Sequence, residues 1–206
     1  AVVMENTTNT ILYSKNADEV LFPGSTVKIM TCLLALENTQ LTDEVTMTAT
    51  GVSGVTDGGA SISSQVDEVF TVEQCLYAIM VASANDIALQ IAEHVGGSVD
   101  GFVQQMNTRA QELGCTNTVF TNPTGLPDDN QHTTAHDMAL IMQAAIQNES
   151  FRTIAAATSY TIPATNKAAA RNLTSKFTMT DTGSTGFYEG CIGGKEGYTE
   201  ASGSTL

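Results

Sequence analysis

Residues 26–37 are apolar on nearly every face of a helix, and this stretch constrains the fold more than any other part of the sequence. A helix that is hydrophobic all round lies inside a protein, so other elements must surround it. The tripeptide Phe22-Pro23-Gly24 breaks the chain just before it, which sets the start of the helix near Ser25. The only cation in the stretch, Lys28, is therefore expected to be buried.

The segments around this helix differ in their periodicity. Residues 1–22 alternate short apolar runs with a polar turn at residues 6–9, which predicts a hairpin. The last third is rich in glycine, which predicts strands joined by tight turns. Helical patterns lie at residues 71–81, 86–97, 98–114 and 134–146, and β-like runs lie at 44–47, 68–71 and 160–162.

The order of strand pair, helical middle and strands predicts an α+β fold. The simplest assembly is one antiparallel sheet built from both termini, with flanking helices and a helical lobe inserted at about residues 40–150. A chain of 206 residues is long enough for one sizeable core, so we predict a single domain.

Charge and composition exclude several classes of function. Acidic side chains outnumber basic ones by 22 to 8, and the net charge of −14 repels nucleic acid and anionic lipid. No run approaches the roughly 20 apolar residues that span a bilayer. The three histidines lack ligand spacing and the cysteines form no C-x-x-C pair, so neither a metal nor another cofactor is expected. Cys32 and Cys75 lie in apolar helical runs, which favours buried free thiols over a disulfide.

The motif Ser25-Thr26-Val27-Lys28 places a hydroxyl and an amine three residues apart at the start of a helix. Both side chains then project from one face and can form a hydrogen bond. A serine hydroxyl becomes a good nucleophile only when a base takes its proton, and burial lowers the pKa of a lysine enough to make it that base. Taken alone, the motif more often marks a helix-capping serine followed by a lysine that reaches solvent.

Two further short motifs add polar groups. Ser83-Ala84-Asn85 interrupts two helical patterns and offers a hydroxyl for proton transfer and an amide for binding a substrate backbone. Lys195-Glu196-Gly197 follows a Gly-Gly pair, and a lysine there, on a strand bordering the cleft, would depress the pKa of Lys28 and attract an anionic substrate. Gly197 would allow a close approach of backbone. Each motif alone also fits an ordinary turn.

Together, in this order, the three motifs resemble the signature of penicillin-binding proteins and serine β-lactamases. Within that superfamily the chain most resembles the low-molecular-mass D-alanyl-D-alanine carboxypeptidases of peptidase family S11. The similarity covers essentially the whole chain. It is carried by residues 12–19, 22–31, 82–86, 122–126 and 135–140.

This resemblance implies the β-lactamase/transpeptidase-like form of the α+β fold and a role for each motif. Ser25 would form an acyl-enzyme, with Lys28 as general base. Ser83 and Asn85 would assist acylation and hold substrate, and Lys195 would face the cleft. The backbone N–H groups of Ser25 and Tyr198 would form the oxyanion hole. The implied partners are peptidoglycan stem peptides ending in D-Ala-D-Ala and β-lactam antibiotics, met outside the cytoplasm.

One residue departs from the family pattern, which is K-T-G. Glu196 stands where the threonine is expected to help bind the terminal carboxylate of the substrate. If Glu196 points inward, it should repel both that carboxylate and the β-lactam anion, which would weaken the enzyme. An alternative is that Glu196 accepts a hydrogen bond from a carboxamide, which would favour endopeptidase action.

The family continues beyond the K-T-G motif with further strands and often a membrane anchor, whereas this sequence ends at Leu206. We therefore expect a C-terminal truncation, and membrane contact only through an anchor that is not present in this chain. Two other functions stay open: a non-catalytic peptidoglycan-binding domain on the same fold, and a class A-like β-lactamase. The β-lactamase is disfavoured because Glu149-Ser150-Phe151-Arg152-Thr153 does not match the E-x-x-L-N of its deacylating base.

Overall fold

The computed structural model describes residues 1–55 and 59–206, and it has the predicted α+β composition. A 3₁₀ turn, Gly24–Val27, leads into the first helix. The helices are α1 (Lys28–Asn38), α2 (Ala49–Ser53), α3 (Val72–Val81), α4 (Asn85–Gly96), α5 (Val99–Glu112), α6 (Ala135–Ala145) and α7 (Glu149–Ala155). The strands are β1 (Val2–Met4), β2 (Ile11–Ser14), β3 (Glu44–Thr46), β4 (Val69–Thr71), β5 (Ser159–Ile162), β6 (Arg171–Thr174), β7 (Gly197–Thr199) and β8 (Gly203–Thr205).

Helix α1 is the centre of the core, as its all-round hydrophobicity predicts. Every residue from Lys28 to Ala35 is buried. The helices α3, α4, α5, α6 and α7 all pack against it. A side chain on α1 is therefore shielded from water unless it lies at the N-terminal end, where the chain enters from the 3₁₀ turn.

The predicted helix ends are confirmed where a side chain caps them. Thr71 and Gln74 form a capping box at α3, and the Ser98 and Thr134 hydroxyls accept backbone N–H groups at the starts of α5 and α6. Gly97, with φ of +71°, ends α4 in the left-handed conformation. Helices α2 and α7 are not predicted from the sequence, because segments this short complete too few turns to show a helical period.

The strands form four antiparallel pairs: β1 with β2, β3 with β4, β5 with β6, and β7 with β8. The sheet expected from both termini is present in the described residues as two separate pairs. Each terminal pair packs on a different element, since β1 lies against α6 whereas β7 and β8 lie against the 3₁₀ turn. Residues 175–196 contain no strand, so the glycine-rich last third has fewer strands than predicted. Lys195 accordingly precedes β7 and does not lie on a strand.

All four cysteines are free, and Cys32 and Cys75 are buried as expected. In the described parts of the chain, no helix has the length and hydropathy needed to cross a membrane.

Candidate active site

Ser25 and Lys28 meet where the 3₁₀ turn passes into α1. In a 3₁₀ helix the side chains at i and i+3 eclipse one another, so the turn aligns these two residues more closely than an α-helix would. The Lys28 Nζ lies 3.2 Å from the Ser25 Oγ, within hydrogen-bond distance. Ser25 is half-buried, whereas Lys28 has no exposed surface. The pair thus consists of a reachable hydroxyl and a sequestered amine.

The buried position of Lys28 changes its protonation. Burial, and secondarily the positive charge of Lys195, lower the pKa of Lys28 from 10.5 to about 7. The nearby Cys32 and Glu196 oppose this shift by favouring the charged amine. A large fraction of Lys28 is therefore neutral at physiological pH, and a neutral amine has the lone pair that a general base needs.

The pKa of Lys28 gives a testable pH dependence. We expect the rate of acylation by a fluorescent penicillin to rise with pH and to level off above a midpoint of about 7, because only the neutral amine accepts the Ser25 proton. Single-turnover rates across about pH 5 to 11 measure this profile. A rate that is flat over this range, or that rises only near the ordinary lysine pKa of about 10, would contradict the assignment.

A loop at residues 121–126 closes over the start of α1. The Thr124 carbonyl accepts a hydrogen bond from the Lys28 Nζ at 2.5 Å, and the Pro123 carbonyl accepts one from the Thr31 hydroxyl at 2.8 Å. Gly125 has φ of +82°, and a Cβ there would fall 1.8 Å from the Gly24 carbonyl oxygen. The loop therefore has room for glycine alone at the position where it contacts the 3₁₀ turn.

The side chain of Asn122 holds this loop in shape. Its Oδ1 accepts hydrogen bonds from the Thr124 N–H, the Thr124 hydroxyl and the Gly125 N–H. Thr124 is absent from the site residues predicted from the sequence because it contacts Lys28 through its backbone carbonyl. A backbone contact depends on chain path and leaves no side-chain signature; the available signal is the turn pattern of the surrounding loop.

Lys195 lies just before β7 and is 1% exposed. Its Nζ donates to the Glu196 carbonyl at 2.6 Å and to the Glu196 Oε1 at 3.0 Å. Burial lowers the pKa of Lys195, while the Glu196 carboxylate acts to raise it. Glu196 thus turns toward the buried lysine and neutralises much of its charge.

The second carboxylate oxygen of Glu196, Oε2, does not share the hydrogen bond that Oε1 accepts from Lys195. Oε2 is buried and has no hydrogen-bond partner among the described residues, although the side chain as a whole is 25% exposed. A buried acceptor without a donor is costly, typically by about 1–3 kcal/mol or more for a charged group. This oxygen can therefore accept a hydrogen bond from another group.

Gly197 brings β7 against the nucleophile. A Cβ at this position would lie 2.7 Å from the Ser25 backbone N and 3.2 Å from the Ser25 Cβ. No side chain fits there without displacing the 3₁₀ turn, so glycine is needed for this contact. Tyr198 follows with a side chain that is 71% exposed. Its predicted backbone role in an oxyanion hole with the Ser25 N–H remains a prediction.

Ser83 and Asn85 occupy the junction of α3 and α4, both of which pack on α1. Ser83 has φ of +57°, a conformation that costs a serine about 1–3 kcal/mol and that is often found at functional sites. Asn85 is 4% exposed; its N–H donates to the Ala60 carbonyl at 2.7 Å, and its Oδ1 lacks a partner in the described chain. Across residues 1–55 and 59–206, no hydrogen bond joins either residue to Ser25 or Lys28.

The chain is similar to known proteins over its whole length. The family model of peptidase S11, D-alanyl-D-alanine carboxypeptidase, matches residues 1–206. The D-alanyl-D-alanine carboxypeptidase DacF of Bacillus subtilis is 39% identical over 155 residues, which are 73% of this chain and 39% of that protein. A D-alanyl-D-alanine endopeptidase of Pseudomonas aeruginosa is 32% identical over 147 residues, 71% of this chain and 47% of that protein.

The crystal structure of the Streptomyces K15 DD-transpeptidase has a TM-score of 0.90 with this chain at 29% identity. The match covers 98% of this chain and 80% of that structure. By contrast, the chain spans less than half the length of either the Bacillus or the Pseudomonas relative.

Proposed function

The chain belongs to peptidase family S11, the D-alanyl-D-alanine carboxypeptidases, and we propose that it is a single catalytic domain that hydrolyses D-alanyl-D-alanine peptides through an acyl-enzyme on Ser25. The observation that carries the proposal is the contact between Ser25 and Lys28. A hydroxyl that substrate can reach lies 3.2 Å from an amine whose pKa burial lowers to about 7. This combination activates a serine nucleophile.

In the acylation step, the Ser25 Oγ attacks the carbonyl carbon of the penultimate D-alanine while its proton passes to the Lys28 Nζ. The Oγ–C bond forms, and negative charge develops on the carbonyl oxygen. Unpaired backbone N–H groups at a helix start stabilise such charge, which supports the proposed use of the Ser25 N–H group. The second donor is proposed to be the N–H of Tyr198, which lies on β7 next to the 3₁₀ turn. The C–N bond then breaks, and the departing nitrogen takes a proton.

The proton that the departing nitrogen takes originates from Ser25, and Ser83 is the proposed relay from Lys28. The amide of Asn85 is proposed to bind the substrate backbone, a role that fits its unpartnered Oδ1. In the second step a water attacks the ester carbon, gives its proton to Lys28, and the Oγ–C bond breaks. Ser25 recovers its proton, and the peptide leaves shortened by one residue.

The substrates proposed for this reaction are peptidoglycan stem peptides, and β-lactams are proposed to acylate the same serine. Because peptidoglycan lies outside the cytoplasmic membrane, we propose the cell envelope or the extracellular space as the site of action. Glu196 is expected to slow reactions of anionic substrates, since its carboxylate already pairs with Lys195. The enzyme is therefore proposed to be an attenuated carboxypeptidase toward peptides with a free C-terminal carboxylate.

Exposure to benzylpenicillin followed by intact-mass measurement tests this function. We expect one covalent penicilloyl group per chain, slow to form in the wild-type protein and faster to form in Glu196→Thr. Peptide mapping should place the adduct on the segment that contains Ser25. If neither protein forms an adduct, the proposal fails, and a non-catalytic peptidoglycan-binding domain becomes the better description.

A further inference from the structure

The Lys195 ammonium has two partners from the adjacent residue. It donates to the Glu196 carbonyl at 2.6 Å and to the Glu196 Oε1 at 3.0 Å. The ammonium itself has no exposed surface, so water screens this pair weakly. The position that an anionic group of a substrate would take at Lys195 is thus already occupied by a carboxylate of the chain.

The negative charge of Glu196 also affects which terminal group of a substrate can bind next to it. An incoming carboxylate would meet a carboxylate at short range, and like charges placed together in a binding site repel one another and disfavour binding. The ammonium of Lys195 cannot offset this cost in full, because one carboxylate already neutralises it. An uncharged terminal group meets no such repulsion.

The unpaired Oε2 of Glu196 favours ligands that can donate a hydrogen bond, in addition to the repulsion of carboxylates. It is buried and lacks a donor within the described residues, while the rest of the side chain reaches the surface. A ligand group that carries an N–H would satisfy it, and a carboxylate, which only accepts hydrogen bonds, would not. A site with an unpaired acceptor discriminates strongly for ligands that supply the donor.

We propose that Glu196 directs this enzyme to D-alanyl-D-alanine bonds whose second residue ends in an amide, either a carboxamide or a further peptide linkage, and away from those that end in a free carboxylate. The proposal rests on the proposed acyl-enzyme at Ser25. Because Oε2 is buried before substrate binds, the partly exposed side chain turns so that Oε2 accepts the N–H of the substrate amide, while Oε1 remains with Lys195. Glu196 acts as a specificity determinant and takes no part in the bond changes.

The chemistry of the step is unchanged by this preference. The Ser25 Oγ–C bond forms and the C–N bond to the second residue breaks. The departing nitrogen takes the proton that Lys28 received from Ser25. For a carboxamide substrate, the product released is D-alaninamide in place of D-alanine, and hydrolysis of the ester regenerates the enzyme with one water consumed.

Two matched peptides test the proposal. Diacetyl-L-lysyl-D-alanyl-D-alanine and its C-terminal carboxamide differ only in the terminal group, and release of D-alanine or D-alaninamide is followed by mass spectrometry. For the wild-type protein we expect kcat/KM to favour the carboxamide by about tenfold or more. In Glu196→Thr the ratio should fall below one, because Lys195 becomes free to bind the carboxylate.

The variant Glu196→Gln separates charge from shape. It keeps the size of the side chain but removes the repulsion, so the ratio of the two kcat/KM values should lie between those of the wild type and Glu196→Thr. Circular dichroism checks that each variant is folded. A wild-type preference for the free acid, or a ratio that Glu196→Thr leaves unchanged, would overturn the specificity role.

If the proposed function itself is wrong, the cleavage results differ from those expected when only the role of Glu196 is wrong. In that case neither peptide is cleaved in a manner that depends on Ser25, and both proposals fall together. If cleavage depends on Ser25 but the acid is preferred, the acyl-enzyme mechanism stands and only the role of Glu196 is rejected. The Ser25→Ala variant therefore accompanies every measurement.

Discussion

Replacing Ser25 with alanine is expected to abolish covalent labelling by benzylpenicillin and to lower peptide hydrolysis by about 10⁴-fold or more. The expected loss is this large because Ser25 is proposed to supply the atom that forms the acyl bond, and no other described hydroxyl hydrogen-bonds to the Lys28 Nζ. The variant should fold normally. Ser25 is half-buried, and alanine removes only one oxygen atom.

Intact-mass measurement and initial rates with the carboxamide peptide measure this loss in the same preparation. Ser14→Ala is a suitable matched control, because Ser14 lies exposed on β2 and the same atom is removed. The control should keep wild-type labelling. Labelling that persists in Ser25→Ala at the wild-type rate would move the nucleophile elsewhere in the chain.

The second large effect is expected for Lys28. Lys28→Met should lower the acylation rate by about a hundredfold to ten-thousandfold, the range that a general base contributes. Methionine fills a similar apolar volume, so the core around α1 is preserved. Lys28→Arg separates two roles of the lysine: arginine keeps the positive charge but cannot lose its proton, so it should be as slow as methionine if the lysine acts as a base.

Single-turnover acylation by the fluorescent penicillin measures both variants, and thermal unfolding reports their stability. Lys15→Met provides the matched control, because Lys15 is exposed and the same amine is removed. Near-wild-type acylation in Lys28→Arg would show that the positive charge, and not proton transfer, is what Lys28 contributes.

The parts of this protein that are predictable from sequence are those that local pattern determines. The apolar run at residues 26–37 predicts a central buried helix, and α1 is that helix. Lys28 follows Ser25 by three positions, so their contact depends on one turn of backbone and can be anticipated from the motif. The helix starts at Thr71, Ser98 and Thr134 are predictable for the same reason, because each capping side chain bonds to a backbone N–H only three residues further on.

The features that the sequence does not predict are those that depend on how distant segments of the chain pack together. The carbonyl of Thr124 reaches Lys28 because the loop at residues 121–126 folds back over α1. The turn residues of this segment predict a loop, but they do not say where the loop docks. The direction of the Glu196 side chain is likewise undetermined by the motif: the same letters allow it to face solvent or Lys195. The separate terminal strand pairs also depend on tertiary packing, which overrides a simple ordering of strands and helices.

The hydrogen bond from Lys28 to the Thr124 carbonyl joins residues that lie 96 positions apart. Contacts of such long range form late in folding, because the chain between them must be ordered before they are made. During synthesis, α1 leaves the ribosome long before residue 124 is added. In a chain where the loop has not docked, we expect water to reach the Lys28 amine and its pKa to lie nearer the ordinary lysine value of about 10.4. We therefore expect a chain whose loop has not docked to be acylated at Ser25 more slowly than the folded protein.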